Sequence, residues 1–102
     1  MKKYTLIFDS VIKKQFLKLD KPMKNIFSNI FDKMEIMGPL SGVLIDSKLH
    51  LYEIKMKRPP LRIYFRHLID TNELELFEFQ MKTSVKKQKK TINKIRNKLS
   101  KS

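Results

Sequence analysis

LYEIKMKRPPLRIYFRHLIDTNELELFEFQM, residues 51–81, alternates apolar and polar residues through three runs, separated by Pro59-Pro60 and by Asp70-Thr71-Asn72-Glu73. A period of two marks extended chain whose side chains point to opposite faces in turn, and both interruptions are turn-forming residues. The stretch predicts three strands: Leu49 to Met56, Leu61 to Ile69 and Leu74 to Met81. Their connections are short enough to make them antiparallel neighbours.

Counting in twos assigns the faces. On the first strand Tyr52, Ile54 and Met56 share one face and Glu53, Lys55 and Lys57 the other. On the second, Leu61, Ile63, Phe65 and Ile69 lie opposite Arg62, Tyr64 and Arg66; on the third, Phe77, Phe79 and Met81 lie opposite Leu76, Glu78 and Gln80. If helices cover the apolar face, the cations of this segment share one wall with Tyr64, Glu53, Glu78 and Gln80. Neighbouring strands stand about 4.8 Å apart and same-face residues along a strand roughly 6.6 Å apart, a spacing on the scale of successive phosphates in a single strand. An antiparallel sheet with one wet face also displays lysines and arginines. Crowded cations with few carboxylates repel one another, however, and a merely solvated face normally mixes signs.

Upstream of this stretch the period is helical. Residues 3–8 alternate loosely and are rich in strand formers, which predicts a short strand, and Asp9 or Ser10 then offers an N-cap for a helix bearing Ile12, Phe16 and Leu19. Asp20 caps a second helix with Pro22 in its first turn. Met23, Ile26, Phe27, Ile30, Phe31, Met34 and Met37 form its apolar stripe, which reads as core, and Gly38-Pro39 closes it. Residues 39–47 read as a connection turning at Ser41-Gly42. Downstream, Val85, Ile92, Ile95 and Leu99 lie on a narrow stripe of a last helix capped by Thr83 or Ser84, within a tail that carries nine cations after Met81 and no anion.

At 102 residues the chain holds one domain, 1–102, with 82–102 as a basic C-terminal helix and tail. Lys and Arg number 23 against 10 Asp and Glu, a formal net charge of +13. Such an excess favours polyanionic partners, nucleic acid first, because every phosphate contact releases counterions. The absence of Ala, Trp and Cys beside many Lys, Ile and Asn also suits an AT-biased coding sequence, which discounts raw lysine count. Without cysteine there is no disulfide frame, thiolate metal site or cysteine nucleophile, and a reduced cytoplasm suits the chain. MKKYTLIFDS imitates the start of a signal peptide, but Asp9 interrupts its apolar run and no small-residue cleavage site follows. No window approaches the ~20 apolar residues of a membrane span. His50 and His67 are isolated and read as partly buried or edge structural residues, not as a metal site.

LSG at 40–42, LYEIKMKRPPLRIYFR at 51–66, LELFEFQMK at 74–82 and the lysine-rich last helix resemble the RelE/ParE superfamily of type II toxins, above all its HigB/RelE-like, phage-related branch. The resemblance follows element order over about residues 4–99 and is sharp over 51–66. It implies an α+β fold, an N-terminal strand and helical hairpin packed on an antiparallel sheet, with a mobile basic C-terminal helix. It also implies a ribosome-dependent, metal-independent endoribonuclease that uses no cofactor, cuts mRNA and is held inactive by a cognate antitoxin. In that chemistry a ribose 2′-oxygen attacks the adjacent phosphate, so the protein supplies a base, a cationic clamp and a proton donor.

Carried onto this chain, Lys55 stands where the branch usually has Arg, Arg62 matches its strand arginine, and Arg66 adds a clamp candidate on the same face. Arg62 and Arg66 are then the phosphate clamp. Lys55 or Lys57 is base or electrostatic stabiliser, since a lysine among cations has a lowered pKa. Glu53 is a competing base and Tyr64 a stacking surface. Glu78 and Gln80 stand where related toxins often carry His and Phe, which leaves the proton donor open between Lys82 and a group of the RNA or ribosome. Lys82, Lys86, Lys87, Lys89 and Lys90 are RNA-anchoring candidates, although such a run is also an ordinary solvated helix face. Two other functions fit the resemblance: a ParE-like inhibitor of DNA gyrase, and a catalytically weak RNA-binding member.

Overall fold

The structure, a computed structural model, describes residues 2–81 and 84–101. Strand β1 (Thr5–Phe8) leads into helices α1 (Ser10–Leu17) and α2 (Lys21–Met37), a short 3-10 turn (Gly38–Ser41) and strand β2 (Val43–Asp46). Strands β3 (Leu51–Lys57), β4 (Pro60–Leu68) and β5 (Glu73–Met81) follow, and helix α3 (Val85–Ser100) ends the fold. The five strands form one sheet in the order β1-β5-β4-β3-β2.

The helical hairpin forms for the local reasons its sequence states. Asp9 accepts a hydrogen bond from the Val11 amide at 3.0 Å and Asp20 one from the Met23 amide at 3.0 Å, so each aspartate satisfies an amide that its helix cannot. Gly38 ends α2 with a φ of 59°, and the Tyr4 ring lies where a Cβ would project. Only glycine meets both demands.

On one face of the sheet Ile12, Phe27 and Met34 of the hairpin pack with Ile54, Leu61, Ile63, Phe65, Leu74 and Leu76. Burying a side chain such as Phe27 or Met34 is worth roughly 1.5–3 kcal/mol, so this stripe orients the hairpin. Phe27 and Phe79 meet edge to face at 4.7 Å.

The structure departs from the sequence-based expectation in five places. The sheet is mixed, because β1 pairs parallel with β5, Thr5 opposite Glu73 and Phe8 opposite Leu76. A parallel neighbour needs a long crossover, and the hairpin with β2 to β4 supplies it. Residues 43–46, read as part of a connection, are the edge strand β2, paired with Leu51–Glu53. An irregularity in the β4–β5 ladder takes Tyr64 opposite Glu78 but Phe65 opposite Leu76. Phe77 is the extra residue of a bulge, which reverses side-chain parity upstream. Leu76 therefore joins the hairpin core, and Phe77 joins Tyr64 on the other side. His50 is exposed in a turn with a φ of 51°, not on a strand. Finally, α3 lies docked on the sheet rather than free of it.

That docking uses the narrow stripe foreseen for the last helix. Ile95 is buried with Leu51, Tyr64 and Phe77, and Ile92 and Leu99 pack around them. Ser84, not Thr83, caps the helix, its hydroxyl accepting from the Lys87 amide at 3.3 Å; Thr83 and Lys82 lie outside the described residues. Among the described residues, no helix is long and apolar enough to cross a membrane.

Candidate nucleic-acid interface

Strand register sets the candidate residues in two rows on the face away from the hairpin. Lys55 stands opposite Arg62 and Arg62 opposite Gln80; one step along, Glu53 stands opposite Tyr64 and Tyr64 opposite Glu78. The first row is the less covered, with the Lys55 side chain 56% and the Arg62 side chain 17% exposed, whereas α3 covers the second.

Glu53 organises the cations. It is 1% exposed, with Arg62 Nη1 3.4 Å from each carboxylate oxygen, Lys55 Nζ at 3.9 Å and Gln88 Nε2 of α3 donating at 2.8 Å. A buried carboxylate so placed holds the guanidinium of Arg62, whereas Lys55, 56% exposed at its side chain, is only loosely paired. The expectation that Glu53 is a competing base meets a physical obstacle: with α3 docked, its oxygens are taken up by Arg62 and Gln88 and closed to a ribose hydroxyl.

Tyr64 corrects a second expectation. It is 0% exposed beneath Ile95, so in this conformation it presents no face for a base to stack on. Its hydroxyl donates to Gln80 Oε1 at 2.7 Å. Burial, with the Glu53 carboxylate beside it, pushes the phenol well above the ordinary tyrosine range. The group stays protonated at neutral pH and is a poor proton donor.

Arg66 is the third. It shares a face with Arg62 but lies roughly 13 Å along β4, with Tyr64 and the helix over it between them, and its Nε donates to Glu75 Oε1 at 2.8 Å. Arg66 thus faces the far end of the sheet, in a cleft with Lys48, His50 and His67. The cations that the strand register brings together are Arg62 and Lys55, and Lys57 follows at the exposed end of β3 beside the cis Arg58–Pro59 bond.

Gln88 of α3 reaches Glu53, and lysines flank it on the helix. Lys86, Lys87, Lys89 and Lys90 are all exposed, and the first turn of the helix holds no acidic residue. Cations at the positive end of a helix dipole oppose it by some tenths of a kcal/mol each, so a bound polyanion would relieve a standing repulsion. Lys82, the remaining anchoring candidate, lies outside the described residues.

Sequence reading missed the groups that hold this arrangement. Beyond Gln88, Lys94 meets Glu78 at 3.0 Å, Arg96 meets Asp46 at 2.8 Å and Lys98 meets Asp9 at 2.6 Å. Burial acts to raise the Asp9 pKa, yet Lys98 and the Val11 amide bring it below the usual value; the Leu49 amide lowers Asp46, with Arg96 assisting against desolvation. Gln15 forms two hydrogen bonds with the Phe79 backbone, 2.8 and 2.9 Å, continuing the edge of β5 where β1 has ended. None of these pairs has a local sequence signal, since the shortest of them spans 16 residues. Among the described residues, no three His, Cys, Asp or Glu side chains are placed to hold a metal ion.

No protein-family model and no curated protein matches the chain. Solved structures do. A chain of the intact E. coli RelBE toxin-antitoxin complex superposes with a TM-score of 0.67 at 14% identity, over 80% of this chain and 100% of that one. The isolated E. coli RelE toxin gives 0.66 at 14%, over 91% and 99%, and the Mycobacterium tuberculosis RelBE2 toxin-antitoxin complex 0.65 at 12%, over 78% and 98%. At such identities the likeness is one of architecture, and the architecture of this chain, an α+β mixed sheet with a helical hairpin on one face and a basic helix on the other, is that of the RelE toxins.

Proposed function

We propose that the chain is the toxin of a type II toxin-antitoxin system, a metal-independent endoribonuclease that cuts mRNA on the ribosome. The observation that carries the proposal is the row of Lys55 and Arg62 on a RelE-like fold, paired with the buried Glu53 and joined by the exposed lysines of the first turns of α3. A cognate antitoxin is the proposed partner because two of the similar structures are toxin-antitoxin complexes.

In the proposed reaction the ribose 2′-hydroxyl passes its proton to the Lys55 or Lys57 amine, and its oxygen forms a bond to phosphorus as the bond from phosphorus to the 5′-oxygen breaks. The products are a 2′,3′-cyclic phosphate and a 5′-hydroxyl end. Arg62 holds the non-bridging oxygens as negative charge accumulates there, and Lys55 supplies a second cation. Lys57 extends the grip along the backbone, and Lys86, Lys87, Lys89 and Lys90 anchor the surrounding RNA. Gln80, which stands beside Arg62, suits substrate positioning. Proton transfer to the leaving oxygen falls to Lys82 or to a group of the ribosome or RNA, which is why the translating ribosome is the proposed setting.

Primer extension on a reporter mRNA in cell-free translation tests this. Cuts within codons that appear only while the message is translated are the expected result. Intact message with unimpaired synthesis overturns the reading and directs attention to gyrase supercoiling. The covered state of Glu53 and Tyr64 favours one second reading, an RNA-binding protein of this fold that cuts weakly; tight binding to programmed ribosomes without cuts would select it.

A further inference from the structure

Gln80 is the neutral neighbour of Lys55 and Arg62. On β5 it stands opposite Arg62 in the strand register, so the two Cα atoms are about 5 Å apart. A primary amide is ordinarily an ambiguous reader, because its carbonyl accepts, its NH2 donates and a half turn of the last bond exchanges them. Here the ambiguity is removed. Tyr64 is fully buried beneath α3, and its hydroxyl donates to Gln80 Oε1 at 2.7 Å. Burial keeps the phenol protonated, so it has a hydrogen to give. Glu53, the other acceptor beside it, has its oxygens engaged by Arg62 and Gln88. With the carbonyl taken, the NH2 is the end left for a ligand. Among the described residues its hydrogens have no partner, and no buried side-chain nitrogen is left unpaired, so this one reaches solvent. The two hydrogen bonds of Gln15 to the Phe79 backbone steady the strand one residue before it.

We propose that Gln80, its amide fixed by Tyr64, is a specificity-determining residue that donates to the exocyclic keto oxygen of a nucleobase beside the phosphate held by Arg62, favouring guanine and uracil over adenine and cytosine. Guanine O6 and uracil O4 accept at that edge, whereas adenine N6 and cytosine N4 carry hydrogens there. Two donors brought together leave both unpaired. A free glutamine grips adenine through N6 and N7, which uses its carbonyl as well as its NH2; Tyr64 has already taken that carbonyl. A phosphate oxygen also accepts from an amide, but Arg62 and Lys55 serve that group with charge, so a neutral donor at their side adds discrimination rather than grip. The base edge is within reach because single-stranded RNA presents its bases unstacked. The inference rests on the RNA substrate proposed above and not on its cleavage.

The probe is a set of four 2′-O-methyl RNA trinucleotides with abasic flanks and G, U, A or C at the centre, titrated into the full chain and followed by NMR. The methylated ribose offers no nucleophile, so affinity is read without cutting. The G and U probes are expected to bind roughly fivefold more tightly than the A and C probes and to shift the Gln80 side-chain NH2 resonances. Gln80→Ala should abolish that ratio. Gln80→Glu, which offers an acceptor at the same place, should turn it toward adenine and cytosine, a reversal that loss of mere structural support does not produce. Tyr64→Phe frees the amide to turn and should narrow the ratio by raising affinity for adenine. Four results overturn the proposal: no binding at millimolar probe, equal affinities for the four bases, a ratio unchanged in Gln80→Ala or Tyr64→Phe, or shifts confined to the cleft of Lys48, His50 and Arg66. A wild-type preference for adenine and cytosine does the same, since it means that the amide is turned the other way. Primer extension on translated message keeps the two readings apart: keto-selective binding with uncut message retains the role of Gln80 and rejects the nuclease, and cuts by a protein that binds all four probes alike do the opposite.

Discussion

Under the proposed function Arg62 carries two duties, phosphate grip and partner of Glu53, and its substitutions should separate them. Its guanidinium lies 3.4 Å from both oxygens of a carboxylate that is 1% exposed, so Arg62→Ala both removes the phosphate grip and leaves Glu53 short of charge. A stability loss of about 1–3 kcal/mol is expected in urea unfolding, with cleavage reduced at least a hundredfold, equivalent to ~2.7 kcal/mol of barrier. Arg62→Lys keeps the charge but not the fork, so it should recover most of the stability and little of the cleavage. An Arg62→Ala protein that cuts at the wild-type rate would dispose of the clamp assignment. Tyr64→Phe makes the opposite distinction. It removes the hydrogen bond to Gln80, which costs about 1 kcal/mol, and should leave cleavage within a few fold because the phenol is covered and firmly protonated. A loss of cleavage as large as that of Arg62→Ala would make Tyr64 a participant and require α3 to move.

Among the elements, α3 and the end of β5 are the informative ones. Helix α3 is strongly basic and its apolar stripe is narrow, so its position depends on polar ties to the body of the fold as well as on Ile95. Two of those ties use Asp9 and Asp46, whose pKa values are lowered below the usual 3.8 in the folded state. A depressed carboxylate contributes stability in full above its unfolded pKa and loses it as pH falls through the folded value. The helix should therefore stay docked from neutrality down to about pH 4 and loosen below it, seen as faster exchange of the Ile95 amide relative to Ile63 in the sheet core. Equal acceleration of both would mean that the ties do not set the position of the helix. At β5, Gln15→Ala removes two hydrogen bonds to Phe79 and should cost about 1–3 kcal/mol, fraying the strand that presents Gln80. Hydrogen exchange at residues 78–81 would register it, and unchanged protection there would show that the Gln15 bridge is dispensable.

For the whole molecule, the charge of +13 is a statement about binding to polyanions rather than about fold. Ribosome or RNA binding should weaken linearly in log affinity with log salt. Replacing Lys86, Lys87, Lys89 and Lys90 with Gln should flatten that slope by roughly 3, if each touches one phosphate of single-stranded RNA. An unchanged slope would make the run a solvated helix face and leave the sheet row as the contact. The same replacement removes like charges from the positive end of α3, so thermal stability should hold or rise slightly. A reduced slope with undiminished stability is the combination that marks these residues as kept for binding.

Much of this protein was legible in its sequence because the deciding forces there are local. Alternation in residues 51–81 separated Lys55 and Arg62 from Ile54, Ile63 and Phe65, since strand periodicity acts residue by residue. Asp9, Asp20 and Gly38 marked helix ends by bonding or bending within a few residues of themselves. The +13 charge and the stripe of α3 were equally visible. What the tertiary structure alone decided are pairings between segments far apart in the chain: β1 entering beside β5 in parallel, the bulge that turns Phe77 away from the hairpin, and α3 lying over Tyr64 and Glu53. These divided a supposed single wall into a partly exposed row and a covered one and set Arg66 apart from Arg62. The reason is physical: a pattern of period two or 3.6 states which side of an element is apolar, whereas which distant surface meets that side depends on the packing of the whole chain.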